Sequence, residues 1–269
     1  SATLRVEIDS GPVFHFGEVK ASGSRRYPAR IVENFSPMRR GEPYSAEKLA
    51  IYQRRLLESG YFSSAQIAVD DDVNKAAAAP VYVNVIENRR QRFEAGVGYS
   101  TDTRYRAQLT YSHMDMFDAA WRLRADLRLE SLAQSARVDF DSPPHSDASW
   151  ENLFVSLRRT DIQDEETREL SAGLAHNWGL YRTPSSFYVS GHIEEQIIAG
   201  EITDHVHAVF FGYRHAFRNT DDLVSPRRGY LGTVSIGGAP AGLSTRTFLR
   251  GTASLTAFYP LGRNVDLTF

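Results

Sequence analysis

The sequence of 269 residues contains no cysteine, which excludes disulfide bonds, thiolate nucleophiles and cysteine-ligated metals. It has no run of about 18 apolar residues, so a membrane-spanning helix is excluded. That test does not exclude a spanning β-strand, because half of the side chains of such a strand are polar. The 31 basic and 33 acidic residues give no electrostatic case for binding nucleic acid. Common hydrolase, zinc-protease and phosphate-loop motifs are absent, so the sequence predicts neither an enzyme nor a cofactor.

Alternation of apolar and charged residues dominates the later part of the chain. The clearest segment is Trp121–Glu130, in which every second residue is apolar and the others are charged. Because side chains on a strand alternate between two faces, this pattern predicts a strand with one apolar and one charged face. From residue 92 to the end of the chain, about eleven such segments follow one another without helical patterns between them. Their length is that of a tilted membrane-spanning strand.

The first 90 residues have a different sequence pattern, in which helix and strand signals are mixed. Residues 1–10 contain a short alternating segment, and residues 11–90 combine strand and helix signals, with Ser45 as the N-cap of a helix that ends before Gly60. The order is strand, helix, helix, strand, strand, at residues 13–21, 29–35, 45–59, 61–69 and 81–86. This order predicts a compact α+β module ahead of the strand-rich region, which covers residues 91–269.

Several motifs in these two regions resemble a known family. Gly41-Glu42-Pro43-Tyr44-Ser45 and Gly60-Tyr61-Phe62 are similar to motifs of polypeptide-transport-associated (POTRA) domains. The segments Gly98-Tyr99-Ser100-Thr101-Asp102-Thr103 and Pro226-Arg227-Arg228-Gly229 are similar to those of the TamA-like outer-membrane subunit of the translocation and assembly module, in the BamA/TamA superfamily. The resemblance covers nearly the whole chain.

The resemblance implies a fold, a location and partners. The fold class is an α+β POTRA domain (β-α-α-β-β) at residues 11–90, followed by an antiparallel transmembrane β-barrel that begins at residue 91. Residues 1–10 are then the last strand of a preceding POTRA domain. The implied location is the bacterial outer membrane, with the POTRA domain in the periplasm. The implied partners are unfolded outer-membrane clients such as autotransporters, an inner-membrane-anchored TamB-like protein and outer-membrane lipid, with no nucleic acid.

The chain departs from the family pattern near its end. The family barrel has sixteen strands and an inward loop with a Val/Ile-Arg-Gly-Phe motif, whereas the alternation here ends at the eleventh strand without that motif. An open sheet would expose unpaired backbone to lipid, so we expect a truncated barrel of about 10–11 of 16 strands. The alternative is that Val265, Leu267 and Phe269 form a natural barrel terminus.

The first candidate site is the strand at residues 61–69. A POTRA sheet can accept an extended client at its edge through main-chain hydrogen bonds, which tolerate many client sequences. The residues of this candidate client-binding edge are Tyr61, Phe62, Ala65, Ile67 and Val69. The alternative is that this strand pairs internally or is covered by a neighbouring module.

The second candidate site is the first barrel strand, which the resemblance makes a lateral gate. Its residues are Phe93, Gly96, Val97, Gly98 and Tyr99. Glycine weakens a strand, so Gly96 and Gly98 are compatible with a seam that opens. The alternative is that these glycines leave room for an interior plug or for curvature.

The charged face of the Trp121–Glu130 strand is the third candidate, a wall of the barrel lumen. It comprises Arg122, Arg124, Asp126, Arg128 and Glu130, and the resemblance allows Asp126 or Glu130 to pair with an arginine of the inward loop. The alternative is a solvated polar wall. On the opposite face, Leu123 and Leu127 are expected to be exposed to lipid.

The remaining signals are weaker. Pro226 and Gly229 are predicted to shape a structural turn, and His205 and His207 lack nearby ligands that would make them a metal site.

The predicted function is assembly or translocation of outer-membrane proteins. The alternatives are a two-partner secretion transporter, which exports one substrate through its lumen, and a passive porin.

Overall fold

A computed structural model describes residues 11–101, 104–162, 165–179, 184–222, 225–262 and 266–268. Contacts divide the chain into two units, Ser1–Asn88 and Arg89–Phe269, which are described separately. The strand predicted within residues 1–10 lies outside the described residues, as do Val265 and Phe269. In the part of the chain that the structure describes, no helix is long and apolar enough to cross a bilayer.

The first unit is a three-stranded sheet with two α-helices. Its elements are β1 (Phe16–Ser22), α1 (Ala29–Asn34), α2 (Ala46–Glu58), β2 (Phe62–Val69) and β3 (Ala79–Glu87). The strand order is β1-β3-β2, with β1 parallel and β2 antiparallel to β3. This arrangement confirms the predicted β-α-α-β-β order.

Local sequence signals explain where the long helix begins and ends. The side chain of Ser45 accepts a hydrogen bond from the backbone N–H of Lys48 at 3.3 Å, as an N-cap should. Gly60, with φ of +81°, follows the last turn in the left-handed conformation that glycine adopts without strain. The two helices are joined by Tyr52, whose hydroxyl donates to the carbonyl oxygen of Val32 at 2.8 Å.

The core of this unit lies between the helices and one face of the sheet. Val81, Val83 and Val85 alternate along β3 and are buried with Tyr52 and Leu56 of α2. Burial of these side chains is the main favourable contribution to the stability of so small a unit. The structure adds one element that the sequence did not predict, a 3₁₀ helix at Val73–Ala78. It begins at Asp72, whose carboxylate accepts from the backbone of Asn74.

The second unit is a single antiparallel sheet of eleven strands in sequential order. The strands are β4 (Gln91–Ser100), β5 (Arg104–Met116), β6 (Trp121–Glu130), β7 (Ala133–Asp141), β8 (Trp150–Ile162), β9 (Glu165–Trp178), β10 (Ser185–Ile198), β11 (Glu201–Thr220), β12 (Gly229–Ala239), β13 (Phe248–Pro260) and β14 (Asp266–Thr268). All eleven predicted segments are strands. In the described residues the sheet runs from β4 at one end to β14 at the other.

The two faces of this sheet differ sharply in chemistry. The register keeps the apolar residues of all central strands on one side, which we call the apolar face. Many of its side chains are nonetheless exposed, among them Leu109, Leu127, Val138, Leu153, Val155, Leu157, Leu170, Leu174, Phe187 and Phe211. The opposite side, which we call the polar face, carries most of the charged residues of the strands. A sheet that exposes its apolar side is typical of a membrane barrel.

Candidate functional site

The outer edge of β2 presents unpaired backbone groups. Asp70 donates its backbone N–H to Pro80 on β3, which fixes the alternation of ladder hydrogen bonds along the strand. In this register Ala65, Ile67 and Val69 occupy the positions whose N–H and C=O groups point away from β3. Because β2 is an edge strand, these groups face outward, as strand addition requires.

One of these outward groups already has a partner. The side-chain amide of Gln53 on α2 donates to the carbonyl oxygen of Ala65 at 2.7 Å. For Ile67 and Val69, the described residues supply no partner to the outward backbone groups. The edge is therefore capped near its start and open near its end.

The side chains predicted for this edge divide into two groups. Tyr61, Phe62 and Ala65 are buried in the core of the first unit, so contact through their side chains is precluded. Ile67 and Val69 are half-buried and lie along the open part of the edge. What the edge offers to a partner is therefore mainly backbone, and client binding by it remains a prediction.

A carboxylate at the end of β3 organises the loop between β1 and α1. Glu87 accepts hydrogen bonds from the backbone N–H groups of Arg25 at 2.8 Å and Arg26 at 2.6 Å, and from the Ser24 hydroxyl at 3.2 Å. Burial alone would raise the pKa of Glu87, but the backbone hydrogen bonds of Arg26, Arg25 and Tyr27 outweigh it and lower the pKa below the ordinary value. The ionised carboxylate therefore stabilises this loop.

The strand predicted as a lateral gate, β4, is paired on one side only in the described residues. Met114 donates to the carbonyl of Arg90, and this register turns the backbone groups of Phe93, Val97 and Tyr99 away from β5. Their side chains are highly exposed, with Val97 at 91%. Gating by this strand remains a prediction.

The two glycines of β4 bond to β5 rather than to the free edge. Gly96 lies opposite Gln108, and Gly98 lies opposite Arg106. A Cβ atom added at either glycine would meet no atom within 4 Å, so the described residues include nothing for which they make room. Their effect is to remove side-chain contacts from the strand.

The base of β4 is held by a buried carboxylate and an arginine. Arg90 donates to the carbonyl oxygen of Asp115 at 2.9 Å and to the carboxylate of Asp118. Asp115, 1% exposed, accepts the backbone N–H of Ala120 at 2.9 Å. Three residues of this turn, Phe117, Asp118 and Ala120, have positive φ angles, which are costly for residues other than glycine. The hydrogen bonds to Asp115 and Arg90 hold the turn in this conformation.

The five charged residues of β6 share the polar face, where ion pairs within the strand and to its neighbours involve four of them. Arg122 contacts Asp141 at 3.2 Å, and Arg124 contacts Asp126 at 2.7 Å. Glu130 is paired with Arg106 of β5 at 2.7 Å, and Asp126 also accepts from Thr110 at 2.6 Å. Asp126 and Glu130 therefore have partners within the wall, which agrees with a structural polar wall. Any pairing with an inward loop stays a prediction.

On the apolar face of β6 the two leucines differ. Leu127 is 38% exposed, as expected for a lipid-facing side chain. Leu123 is only half-exposed, because it lies between His113 and Phe140 on the neighbouring strands. Trp121 stacks on the same phenylalanine at 4.8 Å between ring centroids. Both leucines lie on the apolar face, as predicted, but Leu123 is only partly exposed.

The polar face also carries a row of aromatic rings along a concavity of about 880 Å³. Phe154 lies over Gly173 and Tyr188 over Gly212, each on the neighbouring strand, so that a Cβ atom at either glycine would collide with the ring. Phe210 covers Gly237 in the same way and contacts Tyr188 at 5.8 Å between centroids. These glycines are the sites into which the rings pack.

Pro226 lies in the connection between β11 and β12, which a carboxylate holds, and Gly229 is the first residue of β12. Asp221 accepts the backbone N–H groups of Arg227 and Arg228, both at 3.0 Å. Gly229 has φ of +117°, and a Cβ atom there would lie 2.0 Å from a carbonyl oxygen of Asn219. Only glycine fits this position.

His205 and His207 have separate neighbours. His205 lies 3.6 Å from Glu195, and His207 lies 2.9 Å from the hydroxyl of Thr245. Within the described ranges no group of three or more histidine, aspartate or glutamate side chains is arranged to hold a metal ion.

Aromatic residues contact one another at both ends of the apolar face, with Tyr99 and Tyr105 at the end of β4 opposite to Phe93. Trp178, Phe187 and Tyr213 contact one another with centroids 4.9–6.1 Å apart, and Phe93 contacts Tyr111 at 4.6 Å. Toward the other end of β9 the same face becomes charged at Arg168, which pairs with Glu166. Aromatic and charged side chains at the boundaries of an apolar band are typical of a membrane-spanning sheet.

These features define a class of protein: a small α+β domain followed by a strand-rich membrane-type sheet. Residues 14–88 match the family described as POTRA, surface antigen variable number repeat. The first unit is therefore a POTRA domain.

The chain is similar in fold to three proteins of known structure. For BamA from Haemophilus ducreyi lacking POTRA domains 1–3, the TM-score is 0.64 at 10% identity over 94% of this chain and 53% of that one. For CdiB from Acinetobacter baumannii, the TM-score is 0.60 at 10% identity, over 93% and 49% of the two chains. For CdiB from Escherichia coli, the TM-score is 0.51 at 10% identity, over 99% of this chain and 69% of that one. The chain spans about half the length of the first two, and the likeness concerns the fold.

Sequence reasoning missed three groups of residues that shape the candidate sites. They are Gln53, which caps β2, Glu87, which binds the loop between β1 and α1, and the pair of Arg90 and Asp115 at the base of β4. All act through hydrogen bonds between a side chain and a distant backbone group. Such contacts leave no periodic pattern in the sequence. An acidic residue at the end of a strand is only a weak indication of them.

Proposed function

We propose that this protein works in the bacterial outer membrane as an assembly or translocation factor of the TamA type. The POTRA domain, in the periplasm, receives unfolded clients such as autotransporters at the β2 edge, and the barrel adds their strands at β4. The observation that carries this proposal is the edge of β2, where the outward backbone groups of Ile67 and Val69 lack partners in the described residues. An inner-membrane-anchored TamB-like protein is the proposed partner.

The dimensions of the sheet support a membrane location. Trp178 and Arg168 are ten positions apart on β9, on the apolar face. At about 3.4 Å per residue and a tilt of about 40°, they are roughly 26 Å apart along the membrane normal. This distance agrees with the apolar band of about 25 Å found in outer-membrane barrels. Outer-membrane lipid is therefore the proposed environment of the apolar face.

Site-specific crosslinking to a client tests the role of β4. Because these 269 residues contain no cysteine, Val97→Cys is the single attachment point within them. We expect it to form a disulfide with a single cysteine in the terminal strand of a client during assembly. Leu127→Cys, on the same face but within the sheet, is the matched control and should not react. Equal yields at the two positions would contradict the proposal.

The same experiment separates assembly from two-partner secretion, the second candidate, which the similarity to CdiB favours. A secretion transporter passes its substrate through the lumen, so Arg128→Cys on the polar face should be the main crosslink. An assembly factor should instead give crosslinks at Val97 to clients that then resist alkaline extraction from the membrane.

Topology is tested by protease added to intact cells, which should cleave at residues 160–166 but not at residues 259–262.

A further inference from the structure

We infer that Gln53 is a positioning residue that sets where an extended client aligns along β2; this inference rests on the proposed function. Gln53 lies on an exposed position of α2, and its amide nitrogen is 2.7 Å from the carbonyl oxygen of Ala65. That carbonyl is one of the outward groups to which an added strand would bond. A client strand at this position must displace the glutamine side chain.

The open part of the edge is correspondingly short. Beyond Ala65, the outward positions are Ile67 and Val69, and the strand ends at Val69. Just past it, Asp70 turns its backbone N–H inward to Pro80, and its carboxylate contacts Lys75 at 2.7 Å. Two outward residues therefore lie between the Gln53 cap and the turn at Asp70. Main-chain bonds select no sequence, so the cap determines alignment rather than client identity.

A short open segment also gives a weak, reversible contact, since each main-chain hydrogen bond makes only a modest net contribution. A site that passes clients onward needs such a contact. Gln53 has a flexible and exposed side chain, so it can leave Ala65 without unfolding the helix. Displacement lengthens the docking segment toward the start of β2.

Crosslinking with a defined peptide tests this inference in the full-length protein. The probe is a peptide with the sequence of Trp121–Glu130, an alternating strand, carrying cysteine in place of Ala125. Single cysteines at Ser64 and Ala68 report the two ends of the edge, because both side chains lie on the face away from the helices. In the wild-type background we expect crosslinks at Ala68 to dominate.

Gln53→Met keeps the side-chain length but removes the donor. We expect it to raise the ratio of crosslinks at Ser64 to those at Ala68 roughly fivefold, the factor that corresponds to one neutral hydrogen bond of about 1 kcal/mol. Glu58→Gln, on the same helix, is the matched control and should leave the ratio unchanged. A role limited to helix stability would change the yields at both positions together.

Two outcomes overturn different claims. If the ratio in Gln53→Met equals that of the wild type, the role of Gln53 is refuted while the β2 edge stands. If neither Ser64 nor Ala68 reacts in any background, the β2 edge is not a docking site, and both the proposed client binding and the role of Gln53 fail.

Discussion

Removal of the charge on Glu87 should destabilise the POTRA domain measurably. The carboxylate accepts two short hydrogen bonds, from Arg25 and Arg26, and lies 3.8 Å from the guanidinium of Arg26. Hydrogen bonds to ionised groups are about twice as strong as neutral ones. Glu87→Gln should therefore lose about half of the stabilising free energy of each of these two hydrogen bonds. At about 1.5–3 kcal/mol for each charged hydrogen bond, with a neutral replacement at half that, the two bonds together should lose about 1.5–3 kcal/mol.

The pH dependence of this effect has a defined sign. The pKa of Glu87 is lowered in the folded domain, so its contribution is present above the unfolded pKa of about 4.3 and is lost as the pH falls through the folded pKa. The difference between wild type and Glu87→Gln should therefore be full at pH 7 and vanish in acid.

Hydrogen exchange of residues 11–88 in the full-length protein measures this stability directly. The three tryptophans all lie in the second unit, so their fluorescence does not report on the POTRA domain. Glu18→Gln, at an exposed position of β1, is the matched control and should change the free energy of opening by less than about 0.5 kcal/mol. An equally small change in Glu87→Gln, or a difference that persists in acid, would refute the reasoning.

Three further predictions concern the sheet and use the heat-modifiable electrophoretic mobility of folded barrels as readout. Gly229→Ala should prevent folding, because its Cβ would meet a carbonyl oxygen at 2.0 Å, whereas Gly251→Ala, in open space, should fold normally. Val155→Arg on the apolar face should cost about 2–4 kcal/mol, and Ser156→Arg on the polar face under 1 kcal/mol; similar losses would reject the assignment of faces. Asp115→Ala should lower stability by about 2–3 kcal/mol by removing the carboxylate that accepts the buried N–H of Ala120, and an unchanged melting temperature would count against that role.

The strands and their faces could be predicted from the sequence because alternation is a local signal. Trp121–Glu130 shows this best, since each residue's neighbours two positions away already determine its face. The helix at Ala46–Glu58 could be predicted equally well, because its N-cap, its apolar stripe and the glycine after its last turn all indicate the same helix. Where independent local signals coincide, the prediction and the structure agree.

The remaining features depend on contacts between distant residues. The half-burial of Leu123 comes from Phe140 on the next strand, which a single-strand pattern does not contain. The 3₁₀ helix at Val73–Ala78 follows an acidic stretch that reads equally well as a solvated turn. The bond from Gln53 to Ala65 joins two elements whose relative placement is known only once the core has formed.

The rings that cover glycines on the polar face have a consequence for how the sheet finds its pairing. A slip of two residues between β10 and β11 would bring Tyr188 opposite Phe210 or Arg214, each of which has a large side chain in place of the glycine on which the ring packs. Each pair of a ring and a glycine therefore favours the native strand register during folding of the sheet. In homologous chains the two should change together, and exchanging Tyr188 with Gly212 should restore a fold that either single change disrupts.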